Sequence, residues 1–269
     1  FNGGASINLN QIQKYLDNFK PENKKNNLGG LFKIKHKNHF LLIDIDKPPQ
    51  KKFSKSYQSG PLSFEYFVDG KKIITNSGFG NHISKKAEFL SRLTACQSTL
   101  TINDTSITKF EKNEMISRVF GNSIQNSFKF FDFSAKNENN LIGCSASNNG
   151  YEKRFGCTHK REIYLDKEKN YLKGTDHIYK MKNGYPIKYA FRFHVNPELS
   201  VVKTMSGNSA LIQISKNKSV IFTAQDEILE IEKSIFLGGK KILDNTCITI
   251  SGNLVNKDKF FNWEIKKKI

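Results

Sequence analysis

Acidic side chains are under-represented in this 269-residue chain: Asp and Glu total 25 against 43 Lys and Arg, a formal charge of +18. A field of that sign favours polyanionic partners, whether acidic polysaccharide, nucleic acid or anionic membrane. The lysines form no single block, so most of the excess reads as a solvated surface. Cysteine is scarce as well, and Cys96, Cys144, Cys157 and Cys247 stand far apart. With no C-x-x-C pair a zinc knuckle is not expected, and free thiols and disulfides are both open. A core of this size needs no disulfide staple. No apolar run approaches the ~20 residues of a membrane span. Rossmann, P-loop, G-x-S-x-G and H-E-x-x-H patterns are missing, so those chemistries lack support and no cofactor is expected. The chain opens on Phe1 rather than Met and shows no signal peptide, which reads as a fragment or a processed chain.

What is present is strand periodicity with turn signals. In residues 62–68, Leu62, Phe64, Tyr66 and Val68 point one way and Ser63, Glu65 and Phe67 the other. Asp69-Gly70 supplies a two-residue turn, and Lys72–Thr75 returns as a second strand. Asn76-Ser77-Gly78 opens a loop, and Arg92–Leu100 leads into a third strand. Further strands are expected at residues 31–35 and 40–45, then in a hairpin of Ile163 and Leu165 with 171–176, at 190–195, around 210–214, 220–223, 229–234 and 246–251, and finally at 262–265. His36 and His39 sit at the tip of the first hairpin and read as a solvated turn. Phe128, Phe130, Phe131 and Phe133 read as core. Lys47–Ser59 is a basic loop whose Phe53 and Tyr57 either stack on a ring of a ligand or anchor the loop. Ile12, Leu16 and Phe19 share one helical face, giving a short helix over residues 9–19. The class is all-β: a large two-sheet antiparallel β-sandwich (supersandwich-like) after a short N-terminal helix.

Residues Gly60, Leu62, Ser63, Phe64, Glu65, Asp69, Gly70, Asn76 and Gly78, followed by Arg92, Thr94, Ser98, Thr99 and Leu100, carry a further signal. Their order resembles the C-terminal β-sandwich of the heparinase II/III-like polysaccharide lyases, with its "GxLSFE…DG…NxG" hairpin and "RxTxAHSTL" segment. The similarity continues through Tyr151, His159 and Arg161, Gly174 and Asp176, and Arg192-Phe193-His194. The resemblance divides the chain into residues 1–28, a linker and short helix from a missing N-terminal helical toroid, and residues 29–269, the sandwich. It implies a carbon-oxygen lyase in the periplasm or cell envelope. Such an enzyme cleaves uronate-containing polysaccharide, a glycosaminoglycan for example, by β-elimination.

That reaction needs a neutralised carboxylate, a base for the C5 proton and an acid for the leaving oxygen. The resemblance places most of those groups on the toroid and one His on the sandwich. Here Gln97 stands at the position of that His. An amide cannot exchange a proton near neutral pH, but it can donate a hydrogen bond to a carboxylate. The resemblance makes Gln97 the candidate catalytic-site position, and Arg92, Gln97, His159 and Arg161 the candidate substrate-binding residues. Arg92 could instead hold a structural ion pair. Some members bind a metal in the sandwich, but Thr99 replaces one of its His ligands, so no tight metal is expected. Two other functions stay open: a non-catalytic carbohydrate-binding or scaffold domain, favoured by Gln97, and a nucleic-acid-binding β-protein, resting on charge. The fragment alone is expected to be inactive.

Overall fold

The computed structural model describes residues 27–181 and 185–268. The helix expected over residues 9–19 lies outside them. Seventeen strands form two antiparallel sheets. The first comprises β1 (Asn27–Leu28), β2 (Leu31–His36), β3 (His39–Asp44), β4 (Phe64–Val68), β5 (Lys71–Thr75), β6 (Leu100–Ile102), β11 (Ile187–Val195), β15 (Glu230–Phe236) and β16 (Leu243–Leu254). Its order is β1-β2-β3-β4-β5-β11-β16-β15, with β6 also paired to β11. The second comprises β7 (Phe130–Asn137), β8 (Leu141–Asn148), β9 (Cys157–Asp166), β10 (Tyr171–Lys180), β12 (Ser200–Lys203), β13 (Ser209–Ser215), β14 (Lys218–Ala224) and β17 (Lys259–Lys268). Its order is β12-β13-β14-β17-β10-β9-β8-β7. The expected all-β sandwich is therefore the observed architecture.

The core lies where the sheets face each other. Phe64 and Phe193 from the first sheet meet Phe222 and Trp263 from the second; Phe64 and Trp263 stack at 5.4 Å and Phe193 and Phe222 lie 4.7 Å apart. All four are buried, and each such ring contributes roughly 1.5–3 kcal/mol through its removal from water. The β4–β5 turn has φ of +52° at Asp69 and +76° at Gly70, the left-handed pair a type I′ turn requires. That turn sets the register of the hairpin.

Local differences from the expected elements have physical causes. The polar stretch before Arg92 holds helix α1 (Lys85–Ser91), capped by Ser84 Oγ on the Ala87 N–H at 3.1 Å. Seven residues are too few for a helical period to show. Two more short helices follow, α2 (Glu114–Phe120) and α3 (Glu152–Phe155). Phe131 and Phe133 are not core: they lie on the edge strand β7 and are 39% and 47% exposed. His39 is not solvated but buried, with Nδ1 2.5 Å from Tyr66 Oη. Burial pushes its pKa down to about 4, so the ring is neutral. The four cysteines carry no disulfide.

Candidate functional site

Residues 76–99 leave the first sheet at β5 and return to it at β6. Both ends lie against β11, Thr75 opposite His194 and Leu100 opposite Phe191. Ser98 closes the mouth of this excursion. Its hydroxyl donates to Thr75 O at 2.5 Å and accepts the His194 N–H at 2.9 Å, while its own N–H donates to Asn76 Oδ1 at 2.8 Å. His194 reaches into the excursion, with Nε2 3.0 Å from Ala95 O and Nδ1 3.1 Å from Ser234 Oγ. Burial holds its pKa at about 4. A neutral ring that donates from Nε2 to the carbonyl and accepts from the serine satisfies both contacts.

Beneath the excursion lies a buried ion pair between adjacent strands of the second sheet, and it reaches across to segments that lead into the first. Arg161 Nε and Nη2 donate to the two oxygens of Asp176 at 2.8 and 3.0 Å, and Nη1 donates to the carbonyls of Leu62 and Ser98, each at 2.8 Å. His159 Nε2 and Trp263 Nε1 complete the carboxylate's contacts at 2.7 and 2.8 Å. Burial alone would raise the Asp176 pKa, but the Arg161 charge and the donors from His159 and Arg161 outweigh it and hold the carboxyl at about 2. An ionised carboxylate only accepts, so His159 carries its proton on Nε2, and burial keeps that ring neutral. The Leu62 backbone has φ of +60°, a strained conformation for a branched residue, and Arg161 grips the carbonyl of that same residue. The clamp therefore fixes two chain segments: one next to Gln97 and one next to Ser63.

Gln97 is 1% exposed, and its Nε2 donates to Ser91 O at 2.8 Å. Its side chain lines a hollow of about 500 Å³ together with Asp44, Asp46, Lys47, Tyr57 and Ser63. A Cβ on Gly60 would lie 2.7 Å from Ser63 Oγ and 3.0 Å from Gln97 Cγ, so these two side chains form one wall. Ser63 Oγ and Tyr57 Oη are buried without a hydrogen-bond partner. Asp44 is pushed up to about 7, mainly by burial, with neighbouring Asp46 adding to it against a hydrogen bond from the Asp46 N–H. Burial also drives the Tyr57 phenol up, reinforced by the charges of Asp44 and Asp46.

Of the four residues singled out from the sequence, Gln97 lines this hollow. Arg92, His159 and Arg161 are buried and bonded to the protein instead. Arg92 Nε and Nη2 donate to the carbonyls of Tyr57 and Ser54 at 3.0 and 2.8 Å, its guanidinium lies 4.4 Å from the Phe110 ring centroid, and burial lowers its pKa to about 10. It holds the loop carrying Tyr57, a role other than the ion pair weighed from the sequence. Asp44, Tyr57 and Ser63 were missed as a group; the interleaved Tyr57 of the basic loop was their one legible sign.

Two further hollows lie elsewhere. One of about 610 Å³ occupies the outward face of the second sheet at Tyr164, Tyr171 and Asn262, where Glu162 and Glu264 already pair with Lys160 and Lys266. Another, of about 680 Å³, gathers Lys109, Lys129, Lys153 and Arg154. Among the described residues no group of three or more His, Cys, Asp or Glu side chains could hold a metal ion.

Fold and site together define a two-sheet β-sandwich domain with an ion pair as its central bolt and a polar hollow at one strand edge. Residues 20–264 match the family described as heparinase II/III-like, C-terminal, and the chain belongs to that family. Solved structures agree on the fold. Heparan sulfate lyase HepC from Pedobacter heparinus superposes with a TM-score of 0.70 at 15% identity, over 95% of this chain and 39% of that one. A heparinase III superposes at 0.71 and 14% identity, over 99% and 44%. The heparinase III product of BT4657 does so at 0.67 and 12%, over 96% and 39%. The chain thus spans about two fifths of the lyases it resembles. Among curated proteins none matches the sequence. No helix among the described residues is long and apolar enough to cross a membrane.

Proposed function

We propose that this chain is the sandwich half of a lyase that cleaves acidic, uronate-containing polysaccharide by β-elimination in the periplasm or cell envelope. Membership of the heparinase II/III-like C-terminal family over residues 20–264 carries the reading. Its partners are then the polysaccharide and an N-terminal helical toroid, to which residues 1–28 are the linker. The sandwich contributes position rather than proton transfer. Gln97 brings an amide to the hollow, and Arg161 and Arg92 act behind it by fixing the segments that carry Ser98, Leu62 and Tyr57. His159 orients Asp176 within the clamp. The proton-transfer groups belong to the toroid.

A second reading, a sugar-binding domain without catalysis, is favoured by one observation: the side chain at the hollow is an amide, and amides carry no proton near neutral pH. Both readings are tested by the ultraviolet absorbance of the unsaturated uronate that elimination leaves. Residues 1–269 alone are expected to give none on any uronate polymer, and the full-length protein is expected to give it. Absorbance from the 269-residue chain that Gln97→Ala abolishes would overturn the positioning role. Binding of acidic polymer by the full-length protein with no absorbance would select the second reading.

A further inference from the structure

We infer that the hollow beside Gln97 is a subsite for an uncharged pyranose unit, held by the hydroxyls of Tyr57 and Ser63, the Asp44 carboxyl and the Gln97 amide. The inference rests on the polysaccharide reading above and adds to it which part of the sugar chain sits here.

The first argument is unfinished hydrogen bonding. Ser63 is 1% exposed and its Oγ has no partner; Tyr57 Oη is likewise buried and unpaired. A hydroxyl withdrawn from water without a partner costs free energy, and most buried polar groups in native structures are paired. The groups around the clamp are paired: Asp176 with its donors, both nitrogens of His194, and the Gln97 amide with Ser91. Other buried polar atoms among the described residues also lack partners, Asn76 Nδ2 and Ser77 Oγ of the excursion among them, but Ser63 Oγ and Tyr57 Oη are the two that stand together on the lining of a hollow. A sugar hydroxyl both donates and accepts, so it can complete a serine and a phenol at once. The volume, about 500 Å³, is that of a small-molecule pocket.

The second argument is charge. Asp44 and Asp46 stand on the lining against Lys47. Above pH 7 a uronate carboxylate or a sulfate placed here would face the charges of both Asp44 and Asp46 against the single Lys47. A neutral ring meets no such penalty. Asp44, pushed up to about 7, keeps its proton below that pH and then donates as well as accepts. On this inference the anionic groups of the same polymer lie outside the hollow.

The test uses cellobiose and cellobiouronic acid, which differ in one carboxylate, titrated into the isotope-labelled 269-residue chain and followed by NMR. Cellobiose is expected to shift the amide signals of Asp44, Ser63 and Gln97, with the acid binding roughly five-fold more weakly. Tyr57→Phe and Ser63→Ala should each weaken cellobiose binding about five-fold, the worth of one hydrogen bond. Both variants should melt at or above the parent temperature, because each removes an unpaired buried hydroxyl. Unchanged binding by both variants, tighter binding of the acid, or no shift at these residues up to about 50 mM sugar would overturn the subsite. None of these results touches the elimination assay, so the subsite can fail while the lyase reading stands. If instead the full-length protein yields no unsaturated uronate but cellobiose still shifts these signals, the subsite stands without the reaction.

Discussion

Asp176 and Asp44 are two aspartates of one domain held in opposite states. Asp176 sits at the centre of the clamp with Arg161, His159 and Trp263 on its oxygens, and its pKa is about 2. Asp44 lies on the wall of the hollow, where burial and Asp46 hold it at about 7 and the neighbouring hydroxyls have no partners. A carboxylate whose acceptor positions are all filled belongs to the architecture. A carboxyl with one backbone donor, beside two unpaired hydroxyls, leaves capacity for a ligand.

The largest effect should come from breaking the finished side of this pair. Arg161→Met leaves Asp176 buried without its counter-charge and frees the carbonyls of Leu62 and Ser98, which should cost about 3–5 kcal/mol. Chemical denaturation reads this directly; a loss under 1 kcal/mol would mean the ion pair holds little. The same contrast has a pH signature. Asp176 binds its proton less tightly folded than unfolded, about 2 against the ordinary 3.8. Its contribution is therefore present above pH 4 and lost as the pH falls through 2. Asp44 has the reverse sign. Its folded pKa of about 7 lies above 3.8, so the domain pays nothing for it below pH 4 and a growing penalty between pH 4 and 7, constant above.

Asp44→Asn should thus stabilise the chain at pH 8, by about 1–2 kcal/mol given its partial contact with water, and leave it nearly unchanged at pH 4. Melts at the two pH values decide it; equal shifts at both would show that Asp44 carries its charge at no cost. The smallest effect is expected from Gln97→Ala. Ser91 O loses its 2.8 Å partner, for about 1 kcal/mol, while the excursion stays pinned by Ser98. A loss as large as that of Arg161→Met would make Gln97 part of the clamp instead of part of the wall.

How far the sequence revealed this depends on which contacts are local. The β4–β5 hairpin was readable because alternation and Asp69-Gly70 act over neighbouring residues. His159 and Arg161 were readable as a pair on one strand face, and both do point into the core. What each touches was not readable: Asp176 lies one strand away, and Leu62 and Ser98 come from the segments that lead into β4 and β6 of the other sheet. His39 shows how a signal can be misweighed. Its two-residue spacing from Leu41 and Ile43 put it on the buried face, but its place beside a turn suggested water. Asp44 and Ser63 meet through backbone pairing just beyond the β3–β4 ladder, and the carbonyl of Tyr57 is held by Arg92 from thirty-five residues away, contacts that no residue preference announces. Gln97 was found through family resemblance; composition and periodicity do not mark it.

The excursion of residues 76–99 has a consequence for how such domains diversify. Its two ends are neighbours along a single strand, so the entropy of closing it is settled by β11 and grows only slowly with added length. Such a segment behaves as a cassette. It can be lengthened, shortened or exchanged while the register of both sheets is kept. A change of side chain within it, at Gln97 for example, then requires no redesign of the sandwich that bears it.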